Sequence, residues 1–361
     1  MANVYRADHV GTLIKPNFLL TAQVDFAAGK SDAAARRVAE DAAISEVLVL
    51  QKAVVMSIVT DGEYRRAHPD EPYVNALEGL RRFEAPSRSA TLHSAYAVCG
   101  TLRQTSRLAE REVSFLKDKT QSPFKICLMS PSALALRFYR PGLTEAAYRT
   151  VCDLATTLGD VLRSEVSALF QEGVPYVQLS SPAYHALFEG VGANVFHLPV
   201  KNPAALFEEL LAIDVTALNG ISKPSSATLA MQIGRILELS DASDRYERMA
   251  VRLLEQLPVD RVLLEYGEPR EHDFVSLKAL PAGKMAVLGL VRSDDEPEEI
   301  GAVIDRVDKA ARMAEEHNLA LSPRRGFCNA PGRDVAAQLQ TQHRSLLRVS
   351  EVVQQFWGLE L

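Results

Sequence analysis

The sequence predicts an α/β fold, a (β/α)8 TIM barrel, and two observations carry this prediction. Short apolar runs alternate with longer helical patterns about eight times along the 361 residues, the rhythm of a (β/α)8 barrel. Most of these runs end in polar or charged residues, as buried parallel strands do where they emerge from the core. The phosphate loops GxGxxG and GxxxxGK[ST] do not occur in the sequence, which argues against an open nucleotide-binding sheet. We therefore expect one barrel domain over residues 1–361.

The composition restricts the class of protein further. The chain is 47% hydrophobic and 24% charged with a net charge of −6, which is typical of a soluble globular protein and argues against a nucleic-acid binder. Its four cysteines show no CxxC spacing, which favours a reducing compartment. Cys328 follows the eighth predicted strand and has no evident metal-type partners, so we expect a buried, inert thiol there. No apolar run reaches membrane-spanning length, and the first residues do not resemble a signal peptide. We expect a cytoplasmic protein that has no contact with membranes.

The predicted strands share a short apolar run that leads into polar residues. In chain order they lie within residues 4–13, 54–59, 124–129, 175–179, 227–231, 261–264, 284–291 and 319–323. The run at 319–323 is followed by Arg324, Arg325 and Gly326, so two arginines are expected at the end of the eighth strand.

The predicted helices are rich in helix formers and have apolar residues at spacings of three and four. They cover residues 31–52, 144–171, 203–219, 244–256, 298–317 and 334–357. Residues 85–122 interrupt the alternation of strand and helix. Because side chains alternate in character over 89–102, we interpret 85–122 as a hairpin or helical excursion within the barrel.

Polar residues at the strand ends form the predicted site, because the carboxyl ends of all barrel strands open at one face, here called the barrel mouth. Glu265 and Glu63 are the candidate acid/base residues, since two carboxylates in different environments can divide these roles. Arg325 is the third catalytic candidate, because arginine binds anions and stabilises oxyanions. The candidate substrate-binding residues are His9, Thr12, Arg65, Ser130, Ser180, Gln232 and Arg235. For any single residue, a purely structural role is equally open.

Several motifs in order along the chain resemble the cobalamin-independent methionine synthase family, in its C-terminal catalytic barrel and in shorter single-barrel relatives. The resemblance implies a methionine synthase/uroporphyrinogen decarboxylase-like TIM barrel. The matching motifs are Arg6-Ala7-Asp8-His9-Val10-Gly11-Thr12, Asp61-Gly62-Glu63-Tyr64-Arg65-Arg66, Leu128-Met129-Ser130-Pro131, Leu264-Glu265-Tyr266, Val287-Leu288-Gly289-Leu290-Val291 and Leu321-Ser322-Pro323-Arg324-Arg325-Gly326-Phe327.

The resemblance implies methyl transfer from a methyltetrahydrofolate to homocysteine, with the thiol activated by zinc. Carried over to this chain, the family's His-x-Cys ligand pair falls on Gln232 and Gly234, and its eighth-strand Cys falls on Arg325. Of the four ligands only Glu265 remains. The family's Asp-Glu-Pro after the fourth strand is replaced by Ser180-Ser181-Pro182, so the acids that would help to hold an amino acid are also absent.

Three hypotheses follow from this departure. The first is an enzyme that acts without zinc on a small anionic or carbonyl-containing metabolite, as a lyase, hydrolase or transferase. The second is a folate-linked methyltransferase with a different acceptor, and the third is an inactive barrel used for binding. We expect no metal and no obligatory cofactor, with folate left open. The expected partner is a small-molecule substrate; nucleic acid is not expected, and a homo-oligomer remains open.

Overall fold

The computed structural model describes residues 4–83, 94–182, 184, 187, 198, 200–235, 243–267, 269 and 271–358. Six parallel strands form one sheet in sequential order, and two further strands form a separate antiparallel pair. The antiparallel pair is β1 (Leu77–Arg82) and β2 (Tyr96–Gln104), and the parallel strands are β3 (Lys125–Met129), β4 (Tyr176–Ser180), β5 (Thr228–Arg235), β6 (Arg261–Glu265), β7 (Met285–Val291) and β8 (Leu319–Pro323).

Two N-terminal segments close the six-stranded sheet into a barrel. Ala7 forms a parallel bridge with Leu321 of β8, and Val59 forms one with Phe124 just before β3. The two segments meet where Ser57 N donates to Ala7 O over 3.0 Å. These isolated bridges occupy the places of the first two predicted strands, so the predicted eight-part barrel is confirmed while those two strands are much shorter than expected.

Ten α-helices are assigned in the described residues. They are α1 (Asn17–Ala27), α2 (Ala33–Ala53), α3 (Glu71–Ala76), α4 (Glu110–Lys119), α5 (Pro131–Phe138), α6 (Val151–Gln171), α7 (Pro203–Asn219), α8 (Ser243–Gln256), α9 (Ile300–Ala311) and α10 (Val335–Trp357). No described helix combines the length and apolarity needed to cross a bilayer.

Two of the predicted helices are shorter in the structure. The helix expected over 144–171 begins only at α6, because Thr150 and Asp153 form a reciprocal capping box there. The helix expected over 298–317 is confined to α9, followed by a short 3₁₀ turn at Glu316–Asn318. The hairpin of the excursion already begins at Leu77, ahead of the predicted boundary, and residues 84–93 of it lie outside the described residues.

The barrel interior holds an apolar layer with a charged layer beside it. Alternate residues of the strands point inward, and seven of them form one apolar cluster: Tyr5, Ile58, Tyr176, Ala230, Leu263, Val287 and Ala320. Next to this cluster, Lys125 Nζ lies 2.7 Å from Asp8 Oδ1, and both side chains are fully buried. The ammonium also donates to Gln178 Oε1 over 2.7 Å, and Tyr176 Oη donates to Asp8 Oδ2 over 3.0 Å.

Loss of Lys125 should destabilise the barrel. It would leave the buried Asp8 carboxylate with the Arg261 guanidinium at 3.9 Å, and removing one partner of a buried ion pair typically costs about 3–5 kcal/mol. We expect Lys125→Met to lower the free energy of unfolding by about that amount in urea denaturation. Lys119→Met is the matched control, since Lys119 pairs with Asp118 at the exposed surface. Equal stability of the two variants would contradict this role for the pair.

Candidate functional site

Arg325 and Glu265 come together at the barrel mouth. Glu265 is the last residue of β6, and Arg325 follows β8 by two residues. Arg325 Nε lies 3.5 Å from Glu265 Oε1, and Arg325 Nη2 lies 3.9 Å from Asp294 Oδ2. The Arg325 side chain is 49% exposed, whereas that of Glu265 is 15% exposed. A guanidinium therefore contacts a shielded carboxylate while much of its own surface remains accessible to a ligand.

The neighbouring Arg324 has a different role. Its guanidinium bonds to Glu298, which also lies 2.7 Å from Arg306 Nη1 and 3.8 Å from Arg292 Nε. Burial acts to raise the pKa of Glu298, but hydrogen bonds from Arg306 and from the Arg292 backbone, among others, hold it below its usual value. Arg324 and Arg292 thus hold the loops after β7 and β8 around one carboxylate. Of the arginines whose side chains are described after β7 and β8, Arg325 is the one turned to the mouth.

Glu63 occupies a constrained turn after the second N-terminal segment. Its φ is +60°, a left-handed conformation that is uncommon for a residue with a side chain and is concentrated at functional sites. Glu63 Oε2 lies 3.0 Å from Arg66 Nη1, and Arg66 Nη2 donates to Cys127 O over 2.7 Å. Burial raises the pKa of Glu63, and the charge of Arg66 opposes that rise. Glu63 is therefore more readily protonated than an ordinary glutamate.

His9 and Thr12 lie beneath and beside the mouth. His9 is almost fully buried, and burial, with the charge of Lys125, lowers its pKa to about 3, so its imidazole is neutral at pH 7. Thr12 O accepts from Phe327 N over 3.0 Å. Its Oγ1 would lie 1.9 Å from a Cβ placed on Gly326, so only glycine fits there. Thr12 therefore packs against the loop that carries Arg325.

Three other predicted residues have their polar groups engaged in the structure. Ser130 is fully buried and caps α5 by accepting from Ala133 N. Ser180 O accepts from Ser130 N over 3.0 Å, while the Ser180 side chain is only partly buried. Arg65 turns to the outside of the barrel, with Nη2 2.7 Å from Asp41 Oδ1 and its guanidinium over the Phe115 ring. The structure therefore does not bring Arg65 to the mouth.

Gln232 and Arg235 lie at the carboxyl end of β5. Gln232 is partly buried and is paired in register with Ser180 of β4. Arg235 is paired with Glu265 of β6, after a break in register between Gln232 and Arg235. Its backbone is thus beside the Arg325–Glu265 pair, whereas its side chain lies outside the described part of the structure.

Two residues near the mouth, Cys328 and Arg66, are absent from the predicted site residues. Cys328 was expected to be a buried thiol, but it is exposed and faces a cavity next to Arg325. This expectation was wrong because the chain leaves the core immediately after Phe327. Arg66 follows Glu63 by three residues, and the turn between them brings the two side chains together. The spacing alone does not reveal that contact.

The residues at the implied zinc positions do not fit zinc. Gln232 is a poor ligand, and the guanidinium of Arg325 contacts the single remaining carboxylate, Glu265, where it would repel a metal cation. Gly234 has a φ of +72°, which a cysteine would adopt only with strain. Within the ranges described above, no group of three His, Cys, Asp or Glu side chains is arranged to hold a metal.

Asp214 of α7 fixes the loops after β3 and β4. Its Oδ2 accepts from Ser132 Oγ over 2.6 Å and from Tyr184 Oη over 2.7 Å, and its Oδ1 accepts from Ser132 N. Burial raises the pKa of Asp214 to about 6, although these hydrogen bonds favour its ionised form. A titratable carboxyl group thus holds one side of the mouth.

The barrel has the fold of two solved methionine synthase-like proteins. The structure matches a protein from Listeria monocytogenes provisionally described as a vitamin-B12-independent methionine synthase, with a TM-score of 0.74, 24% identity and 99% of both chains covered. It matches a B12-independent methionine synthase from Shewanella sp. W3-18-1, solved with selenomethionine, with a TM-score of 0.73, 19% identity, and 99% and 100% of the two chains covered. These matches confirm the predicted fold and the predicted resemblance.

Sequence comparison finds three similar proteins. YxjH and YxjG, two uncharacterised proteins of Bacillus subtilis, are 27% and 26% identical to the chain, each over 98% of it and 95% of their own length. A 5-methyltetrahydropteroyltriglutamate–homocysteine methyltransferase from Thermotoga petrophila is 21% identical over 145 residues, which are 39% of this chain and 19% of that enzyme. No family model matches the chain.

The residues at the four implied zinc-ligand positions predict weak zinc binding. We expect the protein purified from zinc-supplemented medium to contain far less than one equivalent of zinc by atomic emission spectroscopy, because three of four positions lack a ligand. Glu265→Gln should contain the same trace amount, since no site depends on that carboxylate. Stoichiometric zinc that is lost in Glu265→Gln would refute this interpretation.

Asp214 predicts a specific pH dependence of stability. Because its pKa is about 6 in the folded chain and about 4 in an unfolded one, the folded chain binds more protons between these values, and stability falls as the pH rises through that window. Asp214→Asn should remove this pH dependence of the unfolding free energy. Relative to the wild type it should therefore gain about 2–3 kcal/mol of unfolding free energy between pH 4 and pH 7. Asp160→Asn, at an exposed position, is the control, and a gain of the same size there would contradict the assignment.

Proposed function

We propose that the chain is an enzyme that acts, without a zinc-bound thiolate, on a small anionic or carbonyl-containing metabolite at the barrel mouth. The observation that carries the proposal is the contact of the half-exposed Arg325 with Glu265, at the positions of two implied zinc ligands. An arginine there supplies a fixed positive charge in place of a metal. Such a charge favours a substrate that is negatively charged or that develops negative charge as it reacts.

Arg325 has the geometry of an anion-binding residue. Its contacts with Glu265 and Asp294 are ion pairs at 3.5 and 3.9 Å and not short hydrogen bonds. The planar guanidinium can therefore offer two parallel N–H groups to a carboxylate, a phosphate or an enolate oxygen. The replacement of the family's Asp-Glu pair by Ser180 and Ser181 supports the same interpretation, because the mouth has lost the acids that would help to hold an ammonium group.

The two glutamates differ in environment in a way that suits acid/base chemistry. Glu265 is in contact with a cation and serves as the base, whereas Glu63 is more readily protonated and serves as the acid. Gln232, in the last half of β5 beside β6, is the candidate donor of a hydrogen bond to a bound carbonyl group. Whether the reaction is an elimination, a hydrolysis or a group transfer depends on the substrate.

Folate-linked methyl transfer to another acceptor is the second candidate, supported by the fold and by the partial match to the Thermotoga methyltransferase. Isothermal titration with methyltetrahydrofolate separates the two candidates. Saturable binding of that compound would favour methyl transfer.

An inactive barrel used for binding is the third hypothesis. Such a barrel would bind a metabolite and form no product from it after long incubation.

The proposal is tested by a thermal-shift screen of small carboxylates, phosphates and oxoacids. We expect compounds of this class to raise the melting temperature of the wild type, because a ligand that binds only the folded state stabilises it. The shift should disappear in Arg325→Met, and turnover of any hit should be abolished in Glu265→Gln. Arg312→Met is the control, since Arg312 pairs with Glu271 at the exposed surface. A shift and turnover that persist in both mouth variants would overturn the assignment.

A further inference from the structure

A second cavity lies outside the barrel, between the N-terminal ends of α2 and α4 and the helix α3. Its volume is about 470 Å³, and it is lined by six arginines and four glutamates. We call it the arginine pocket, after Arg36, Arg37, Arg65, Arg66, Arg107 and Arg111. Of these six arginines, Arg66 contacts Glu63 of the proposed reaction, and the proposed reaction assigns no role to the other five.

Among the described residues, four of the six arginines that line the arginine pocket form ion pairs, and two do not. Arg36 and Arg65 both form ion pairs with Glu40. Arg36 also contacts Glu71, and Arg65 also contacts Asp41. Arg66 pairs with Glu63, and Arg107 pairs with two glutamates outside the pocket lining. In the described part of the chain, Arg37 and Arg111 have no carboxylate within 4 Å, and both are exposed. The pocket therefore offers two uncommitted positive charges.

The backbone at the pocket also offers donors. The helix α4 begins after Ala109, which has no side chain able to cap it, so the N–H groups of Glu110 and Arg111 have no acceptor among the described residues. A helix N-terminus of this kind favours an anion through its free N–H groups and its dipole. Two acidic side chains in the first turn, Glu110 and Glu112, are the competing local charges.

Two guanidinium nitrogens beside the pocket have no hydrogen-bond acceptor in the described structure. Arg66 is 9% exposed, and its Nε faces Glu112 Oε1 at 3.8 Å, an ion-pair distance that is longer than a hydrogen bond. The Nε of Arg65 is likewise buried without an acceptor. Both atoms are closed off from the cavity, so a ligand there would act on these two arginines through their positive charge.

We propose that the arginine pocket binds a small phosphate-bearing metabolite. A tetrahedral dianion matches guanidinium forks together with helix N–H groups. Phe26 and Leu108 give the pocket an apolar wall for the carbon part of an organic phosphate. The chain's net charge of −6 and the limited volume disfavour a nucleic acid in this place.

Isothermal titration with inorganic phosphate at constant ionic strength tests the proposal. We expect saturable binding to the wild type that weakens by about tenfold or more in the double variant Arg37→Gln/Arg111→Gln, because charge-assisted hydrogen bonds are lost. Both substituted side chains are exposed, so the melting temperature should confirm an intact fold. Arg149→Gln, an exposed arginine outside the pocket, should bind phosphate like the wild type.

The mouth variant Arg325→Met separates this proposal from the proposed function. If Arg325→Met retains phosphate binding and the double variant loses it, the phosphate site lies in the arginine pocket. This conclusion does not depend on whether a substrate binds at the barrel mouth. The absence of saturable binding to the wild type would overturn the proposal. Loss of phosphate binding in Arg325→Met would also overturn it. Equal weakening of phosphate binding in the double variant and in Arg149→Gln would do the same.

Discussion

The buried pair of Asp8 and Lys125 is the interaction on which the barrel mouth depends. The first N-terminal segment has only isolated backbone contacts with its neighbours, so side chains must fix its position. Asp8 and Lys125 join that segment to β3, and Gln178 extends the connection to β4. Two unpaired charges in this interior would be prohibitively unfavourable, so the segment has one acceptable position. That position in turn sets Gly11 and Thr12, which pack against the loops of Glu63 and Arg325.

Above this layer, arginines hold the strand ends in place. Arg66 fixes Glu63, Arg324 and Arg306 fix Glu298, and Arg325 contacts Glu265. The first two arrangements are shielded and have short contacts, which suits positioning. The third is looser and half exposed, which suits binding. The distinction between structural and functional arginines therefore follows from exposure and contact distance, and residue type alone does not reveal it.

The sequence predicted the barrel because hydrophobic periodicity reports burial on strands and helices, and six of the predicted strands lie where expected. It also predicted that Glu265 and Arg325 follow strands that share an edge. It could not predict that Arg65 turns outward, because its partners Asp41 and Phe115 are distant in the chain. The cap of α5 was missed although its partner, Ala133, is local, because Ser130 was interpreted only as a residue of the strand end. The helix α5 was missed since it is short and starts at a proline. Cys328 was misjudged because the lack of metal-type partners does not imply burial, and this thiol is exposed.

The left-handed backbone at Gly234 bears on how this barrel diverged. A return to the metal-binding residues would require changes at three positions, and at one of them a side chain would cost about 1–2 kcal/mol in backbone strain. The backbone at Gly234 therefore disfavours any side chain at one of the implied ligand positions, whichever residues occupy the other two. Substituting ligand residues at those two positions alone would still leave the implied set incomplete.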